Sequence, residues 1–205
     1  MPALPPKTVE RLSAYRRTLL RCLDKGKQYI FSHEIAEMHN ITAVQVRRDI
    51  MLLGYSSNQK RGYNVKELID EIGKVLDHKT GVNVAVIGMG NLGHAVTGYF
   101  VGKRPKLCIV AAFDVDPAKI GTTSARIMCY PMSELERLVS ELNISVALLA
   151  VPPEHANEIA QQLTDAGIKG ILNFTSVPLN VKQNVYIEEY DMISVLEKVA
   201  YFSRK

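Results

Sequence analysis

Apolar residues recur along this chain with two different periods, and the change between them divides it. Over residues 8–23, Val9, Leu12, Leu19, Leu20 and Leu23 fall near helical spacing, and Gly26 closes the run. Ser32 has the chemistry of an N-cap for a short second helix, with Ile35, Ala36 and Met38 at its apolar positions. Asn40-Ile41 makes a turn, and Thr42 opens a third helix with Gln45 three residues on, a capping-box pattern. Val46, Ile50 and Leu53 form the buried stripe of that helix, Gln45, Arg47, Arg48 and Asp49 lie largely off it, and Gly54 ends it. Residues 55–65 are then polar, basic and short. Lys60-Arg61-Gly62-Tyr63 suits the tip and return strand of a wing.

Beyond residue 80 the pattern shifts to short apolar runs. Residues 82–87 are of strand length between Gly81 and Gly88, and residues 107–113 form a second run ending in Asp114. Residues 133–142 read as helix, 145–151 as a buried strand, 154–166 as helix, 170–174 as strand and 185–187 as another strand. This alternation predicts a parallel sheet covered on both faces. The last helix, residues 191–202, is apolar at Met192, Ile193, Val195, Leu196, Val199 and Phe202, more than one narrow stripe. Such a helix needs two surfaces to bury it, or a partner chain.

A chain of 205 residues, 47% hydrophobic and 22% charged, is long enough for one ordinary folded domain and a small one. No apolar run reaches the roughly 18 residues of a membrane span, and residues 1–7 lack the apolar core of a secretory signal. Cys22, Cys108 and Cys129 are odd in number and widely spaced. They suit a reducing cytoplasm and read as buried thiols, not as a disulfide framework or a zinc site. Charge changes the picture more. Residues 1–80 hold 14 Lys+Arg and 9 Asp+Glu, a net +5, which leaves 11 and 12, a net −1, for residues 81–205. A basic part joined to a near-neutral one fits either a polyanion partner or a solvated surface.

Two candidate chemistries follow. Two short helices joined by a tight turn, with Gln45, Arg47 and Arg48 near the start of the second, describe a helix-turn-helix. Arg pairs with guanine and Gln with adenine in a major groove, and Lys60, Arg61 and Tyr63 stand where a wing meets phosphates. A three-helix bundle for protein contacts is the other reading. In the second part, Gly88-Met89-Gly90-Asn91-Leu92-Gly93 is a GxGxxG sequence between a strand and a helix. The three glycines allow a tight turn, approach to a pyrophosphate and close helix–strand packing. Asp114 lies 21 residues after Gly93, where a carboxylate accepts from ribose hydroxyls and repels a 2′-phosphate, favouring NAD over NADP. It also fits a simple cap of the next turn. Val151-Pro152-Pro153 and Phe174-Thr175 end two strands, and either line a nicotinamide site or only terminate the strands. Catalytic machinery is sparse. The pair Tyr201 and Lys205 closes the chain, His94 lacks an orienting partner, and His155 reads as a surface residue. A dinucleotide site with no substrate domain uses the cofactor as a signal, so no enzyme, no small-molecule substrate and no metal are expected.

These residues resemble the Rex redox-sensing repressors over nearly the whole chain. The resemblance is carried by Arg11-Leu12 with Tyr15 and Arg17, Gln45-Val46-Arg47-Arg48-Asp49, Gly62-Tyr63 with Val65, the glycine loop, Phe113-Asp114-Val115-Asp116-Pro117, Val151-Pro152, the run from Ala166 to Phe174, and Asp191. It implies an α/β protein with a winged helix-turn-helix domain over residues 1–80, a Rossmann doubly wound parallel sheet over residues 81–188, and a C-terminal helix over residues 189–205 exchanged within a homodimer. It implies a cytoplasmic repressor of double-stranded operator DNA that responds to NADH and NAD⁺ and leaves the DNA when NADH binds. The cofactor residues implied are Gly88 to Gly93 with Tyr99, Asp114, Val115, Val151, Pro152, Phe174, Asp191 and Met192. Those at DNA are Ser32, Gln45, Arg47, Arg48, Lys60, Arg61 and Tyr63. A polar relay of Arg17, Tyr99 and Asp191 of the partner subunit is implied as well. The chain departs from the family at the wing, Ser57 to Tyr63, at Met192, where some members carry Phe, and at Thr175-Ser176. Two other functions fit the residues: a small NAD-dependent oxidoreductase, and a DNA-binding regulator sensing another nucleotide such as coenzyme A.

Overall fold

The computed structural model describes residues 4–56, 61–100, 106–181 and 185–204. The chain forms two compact units, Met1–Lys79 and Thr80–Lys205.

In the first unit, helix α1 (Pro6–Asp24) starts with proline in its first turn, where the missing N–H costs nothing. It buries Thr8, Leu12, Tyr15 and Leu19. Val9, Leu20 and Leu23, expected on the buried stripe, are exposed instead. The buried four recur at i, i+4, i+7 and i+11 and share one face, and Val9, Leu20 and Leu23 fall to one side of it. Strand β1 (Tyr29–Ile30) leads into α2 (Ser32–Met38), a turn with Asn40 at positive φ, and α3 (Ala43–Met51). Thr42 caps α3 by accepting from the Gln45 N–H at 3.1 Å. Val46, Ile50 and Leu53 are buried as expected, and so is Asp49. Strand β2 (Tyr63–Asn64) pairs antiparallel with β1. Gly62 sits at positive φ against the Ile30 carbonyl, where a Cβ would stand 2.6 Å from the oxygen.

Helix α4 (Val65–Leu76) has no counterpart in the sequence expectation, although its signals are plain. Asn64 caps it by accepting from the Glu67 N–H, and Val65, Leu68 and Ile72 are fully buried at helical spacing. It closes the same core as α1, α2 and α3.

The second unit is built on one sheet. Its strands are β3 (Val82–Ile87), β4 (Leu107–Asp114), β5 (Thr123–Ser124), β6 (Ile127–Pro131), β7 (Ile144–Leu149), β8 (Gly170–Asn173) and β9 (Tyr186–Glu189), in the order β5-β6-β4-β3-β7-β8-β9. All neighbours are parallel except β5 on β6. The chain winds from β3 out through β4 to β6, crosses back to β7, and winds the other way. The β5–β6 hairpin has no counterpart in the sequence expectation. Helices α5 (Asn91–Phe100), α6 (Leu135–Glu141) and α7 (Ala156–Asp165) cover the sheet. Alternate residues serve the two faces. Ala85, Ile87, Ala111 and Phe113 pack with Leu135, Leu138, Ala160 and Leu163, whereas Val84, Val86 and Ala112 pack with Val96.

Asp191 caps the last helix, α8 (Met192–Phe202), by accepting from the Ile193 N–H at 2.9 Å. No residue of α8 is buried within the chain, and Leu196, Ile193 and Val199 stand 68%, 62% and 59% exposed. Cys108 is exposed, which corrects the expectation of three buried thiols; Cys129 is buried. Cys108 is the second residue of β4, whose first two residues are exposed before the strand enters the core. No helix among the described residues is long and apolar enough to cross a membrane.

Candidate functional site

A parallel sheet that reverses its winding direction leaves a crevice at the carboxyl ends of the strands on either side of the reversal. Here that crevice is a cavity of about 730 Å³. The turn after β3 contributes Gly88, Gly90, Asn91 and Leu92; the loop after β4 contributes Asp114, Val115, Asp116 and Lys119. The rest of the lining is Met132 after β6, Val151 and Pro152 after β7, Phe174 after β8, and residues of α7.

The glycines act for separate steric reasons. A Cβ on Gly93 would collide with the Gly88 carbonyl, and one on Gly88 with the Ala150 carbonyl, so neither position tolerates a side chain. Nothing lies within 4 Å of a Cβ position on Gly90, which leaves the backbone open to an incoming group. The first N–H groups of α5 follow directly, as an anion site at a helix N-terminus requires. These features fit a pyrophosphate.

Asp114 is 7% exposed, and its carboxylate is heavily engaged. Oδ2 accepts from the Met89 N–H at 2.7 Å and from Lys119 Nζ at 3.1 Å, and Oδ1 accepts from the Asp116 N–H at 2.9 Å. Burial pushes this carboxyl up, but the donated hydrogen bonds outweigh burial and hold it below the ordinary value. Asp114 therefore both secures the glycine loop and offers negative charge at the cavity edge.

Sequence reasoning missed Lys119 and the α7 face. Their signal was present: Lys119 follows Asp116-Pro117 by two residues, and His155, Glu158, Ile159 and Gln162 recur at helical spacing. His155, expected at the surface, is exposed and also lines the cavity. Five expected cofactor residues do not line it. Met89 is buried in the core and gives the site only its N–H. Gly93 packs the helix on its strand. Tyr99 is 61% exposed, and Asp191 and Met192 belong to the start of α8, outside the cavity lining. His94 Nδ1 lies 3.1 Å from Ser124 Oγ.

In the first unit the second helix of the helix-turn-helix presents Arg47 and Arg48 to solvent. Arg47 donates to Ser32 Oγ at 3.0 Å. Ser32 is the first residue of α2 and not its cap, which corrects the sequence expectation. Phe31 occupies the cap position, and its N–H donates to Glu34 at 2.8 Å. Gln45 does not close a capping box either: its Nε2 donates to Asp49 Oδ1 at 2.9 Å. Asp49 also accepts from Arg11 at 2.6 and 2.7 Å and from the Tyr15 hydroxyl at 2.8 Å. This buried carboxylate fixes α3 on α1. Tyr63, expected at the DNA, is 8% exposed and packs in the core beside Tyr55, so its ring is structural. Burial raises its hydroxyl pKa. Arg61 is exposed, and Lys60 lies outside the described residues. Arg17, in this unit, is exposed and donates to Ser13 at 3.2 Å.

Residues 79–177 match the family model of a CoA binding domain, and residues 3–50 match one described as "Putative DNA-binding protein N-terminus". The Redox-sensing transcriptional repressor Rex of Lactobacillus gasseri is 36% identical over 97% of this chain and 93% of its own length. That of Leuconostoc citreum is 39% identical over 98% and 93%. The Redox-sensing transcriptional repressor Rex 1 of Thermotoga maritima is 39% identical over 97% and 95%. The crystal structure of RSP in complex with β-NAD⁺ and operator DNA superposes with a TM-score of 0.89 at 29% identity, over 98% of this chain and 93% of the other. RSP in complex with β-NADH gives 0.85 at 28% identity, over 98% and 94%.

Proposed function

The chain belongs to the Rex family of redox-sensing transcriptional repressors, and we propose that it holds operator DNA as a homodimer and releases it when NADH occupies the cavity. It is a regulator and not an enzyme, as its relatives' names state. One observation carries the reading. The cavity that Gly88, Gly90 and Asp114 edge lies at the reversal point of the sheet, in a chain whose first unit exposes Arg47 and Arg48 on a helix-turn-helix.

In this reading residues 1–80 are the DNA-binding domain. Arg47, Arg48 and Arg61 contact DNA with Gln45 and Ser32 beside them. Residues 81–188 are the NAD(H)-binding domain. Gly88, Gly90 and the N-terminus of α5 hold the pyrophosphate, Asp114 accepts from the adenosine ribose, and Val151, Pro152 and Phe174 wall the nicotinamide. Residues 189–205 are exchanged between subunits, which supplies the cover that α8 lacks. Met192 of the partner subunit then faces the nicotinamide, and Arg17, Tyr99 and the partner's Asp191 form the relay. The protein works in the cytoplasm, where the NADH/NAD⁺ ratio is the signal.

An uncharged reduced nicotinamide packs against Val151 and Pro152 at less desolvation cost than a charged oxidised one. Only that difference in affinity moves the DNA-binding equilibrium, by about 1–3 kcal/mol in typical couplings. Operator affinity at fixed salt, titrated with NADH, NAD⁺ and coenzyme A, tests the proposal. NADH weakens DNA binding and NAD⁺ does not; equal effects of the two would remove redox sensing, and a response to coenzyme A alone would reassign the cavity.

A further inference from the structure

Helix α3 and the turn after it carry two stripes of the same spacing, two residues out of step. Val46, Asp49, Ile50 and Leu53, at i, i+3, i+4 and i+7, are all buried. Val44, Arg47, Arg48 and Met51 repeat that spacing and are all exposed, the valine 48% and the methionine 73%. Gln45 lies between the stripes, half-buried, and turns its amide inward to Asp49 at 2.9 Å. The outer stripe therefore sets two cations between two apolar residues. The cations suit the phosphates and base edges of a duplex, and residues 3–50 match the DNA-binding family model. Val44 needs a separate reason. It lies outside the core of its unit, and a β-branched residue is a poorer helix former than alanine. A second copy of this face would set its own arginines against these two, so like charge opposes a protein contact there.

We propose that Val44 selects thymine in the operator, packing its γ methyls against the 5-methyl group in the major groove beside Arg47 and Arg48. The inference rests on the reading of α3 as the helix that enters operator DNA. In a helix-turn-helix the N-terminal residues of the second helix reach the base edges, and Val44 is the second residue of α3. Each base pair offers hydrogen-bonding atoms in the major groove, but among the four bases only thymine offers a methyl. The valine side chain has neither donor nor acceptor, so an apolar group is what it can recognise. Against the amine of cytosine or the O6 of guanine it would strip water from a polar atom and return no hydrogen bond. Val44 thus supplies a discrimination that the hydrogen bonds of the arginines do not make. Met51 is as apolar and more exposed, but it ends α3 and is the natural control.

The experiment enriches an operator duplex from a randomised pool with the full chain, then replaces each thymine in turn by uracil, which differs only by the missing methyl. At one thymine of each half-site the wild type binds the uracil duplex about three- to fivefold more weakly, the scale of one methyl returned to water. Val44→Ala withdraws the γ methyls and brings the ratio of the two affinities close to one at that position. Val44→Thr keeps one of them and restores part of the ratio, and Met51→Ala keeps the wild-type ratio. Both positions are exposed, so the substitutions leave the fold intact, which a melting curve without DNA verifies. Indifference of the wild type to every uracil overturns this inference alone. So does a methyl dependence that survives in Val44→Ala or disappears in Met51→Ala. A Val44→Ala chain that changes its sedimenting mass but keeps the methyl dependence would assign the residue to a protein contact instead. Failure to enrich any duplex overturns the DNA-binding reading and this inference together.

Discussion

A carboxylate taken out of water stays charged only when donors surround it, and Asp49 and Asp114 both meet that condition. Asp49 is 1% exposed at its side chain and accepts from Arg11, Tyr15 and Gln45. Burial pushes it up, yet those hydrogen bonds leave it below the ordinary carboxyl value. Asp49→Ala strands the Tyr15 hydroxyl and the Arg11 guanidinium, and should cost about 3 kcal/mol in urea denaturation. The pH dependence follows from the direction of the shift. Folded Asp49 and Asp114 release their protons more readily than the unfolded chain does. Their contribution is complete above the ordinary value of 3.8 and is lost as pH falls below it. Melting temperature should therefore drop on the acid side, and less steeply in Asp49→Asn than in the wild type. At the cavity, Asp114→Ala removes the ribose acceptor and the tie to the Met89 N–H. NADH affinity measured by calorimetry should fall about tenfold or more.

At the scale of the element, α8 is the clearest case of a helix whose stability is not accounted for within its own chain. It exposes Leu196, Ile193 and Val199 although fully burying a side chain of that size stabilises by about 1.5–3 kcal/mol. The double substitution Leu196→Glu, Val199→Glu alters no buried contact inside one chain. Its circular dichroism should match the wild type, while the proposed homodimer should sediment at half its mass. Unchanged mass would mean that α8 is not the exchanged element. Helix α3 makes the complementary case. Its inner face is held by Val46, Ile50 and Asp49, so Arg47 and Arg48 can change without loss of fold. Arg47→Ala should weaken operator binding in a gel-shift assay, with folding stability in urea within about 0.5 kcal/mol of the wild type.

At the scale of the molecule, the charge partition separates two kinds of binding. A net +5 in residues 1–80 against −1 in residues 81–205 agrees with a polyanion contact in the first unit, where residues 3–50 match the DNA-binding family model. Operator affinity should fall steeply and linearly with salt on a logarithmic plot, because each neutralised phosphate releases counterions. NADH affinity, resting on an engaged Asp114 and apolar walls, should change little over the same range. Parallel slopes for the two would argue against separate sites.

The local pattern determined a great deal. Strand β3 was legible residue by residue, because an apolar run between two glycines has few other uses. The glycine loop, Asp114 and the helix-turn-helix were legible because backbone geometry imposes residue types at set spacings. Helix α4 was equally legible from the Asn64 cap, Glu67 and the Val65–Leu68–Ile72 stripe. Other features were not local at all. That Tyr63 turns inward, that Asp49 serves Arg11 and Tyr15, and that residues of α7 line the same cavity as Asp114 depend on which elements pack together. Sequence sets what each segment prefers, since propensity, capping and periodicity act over a few residues. Only the tertiary structure decides which polar groups meet, because burial makes each unpaired donor or acceptor costly and the packed chain must satisfy them together.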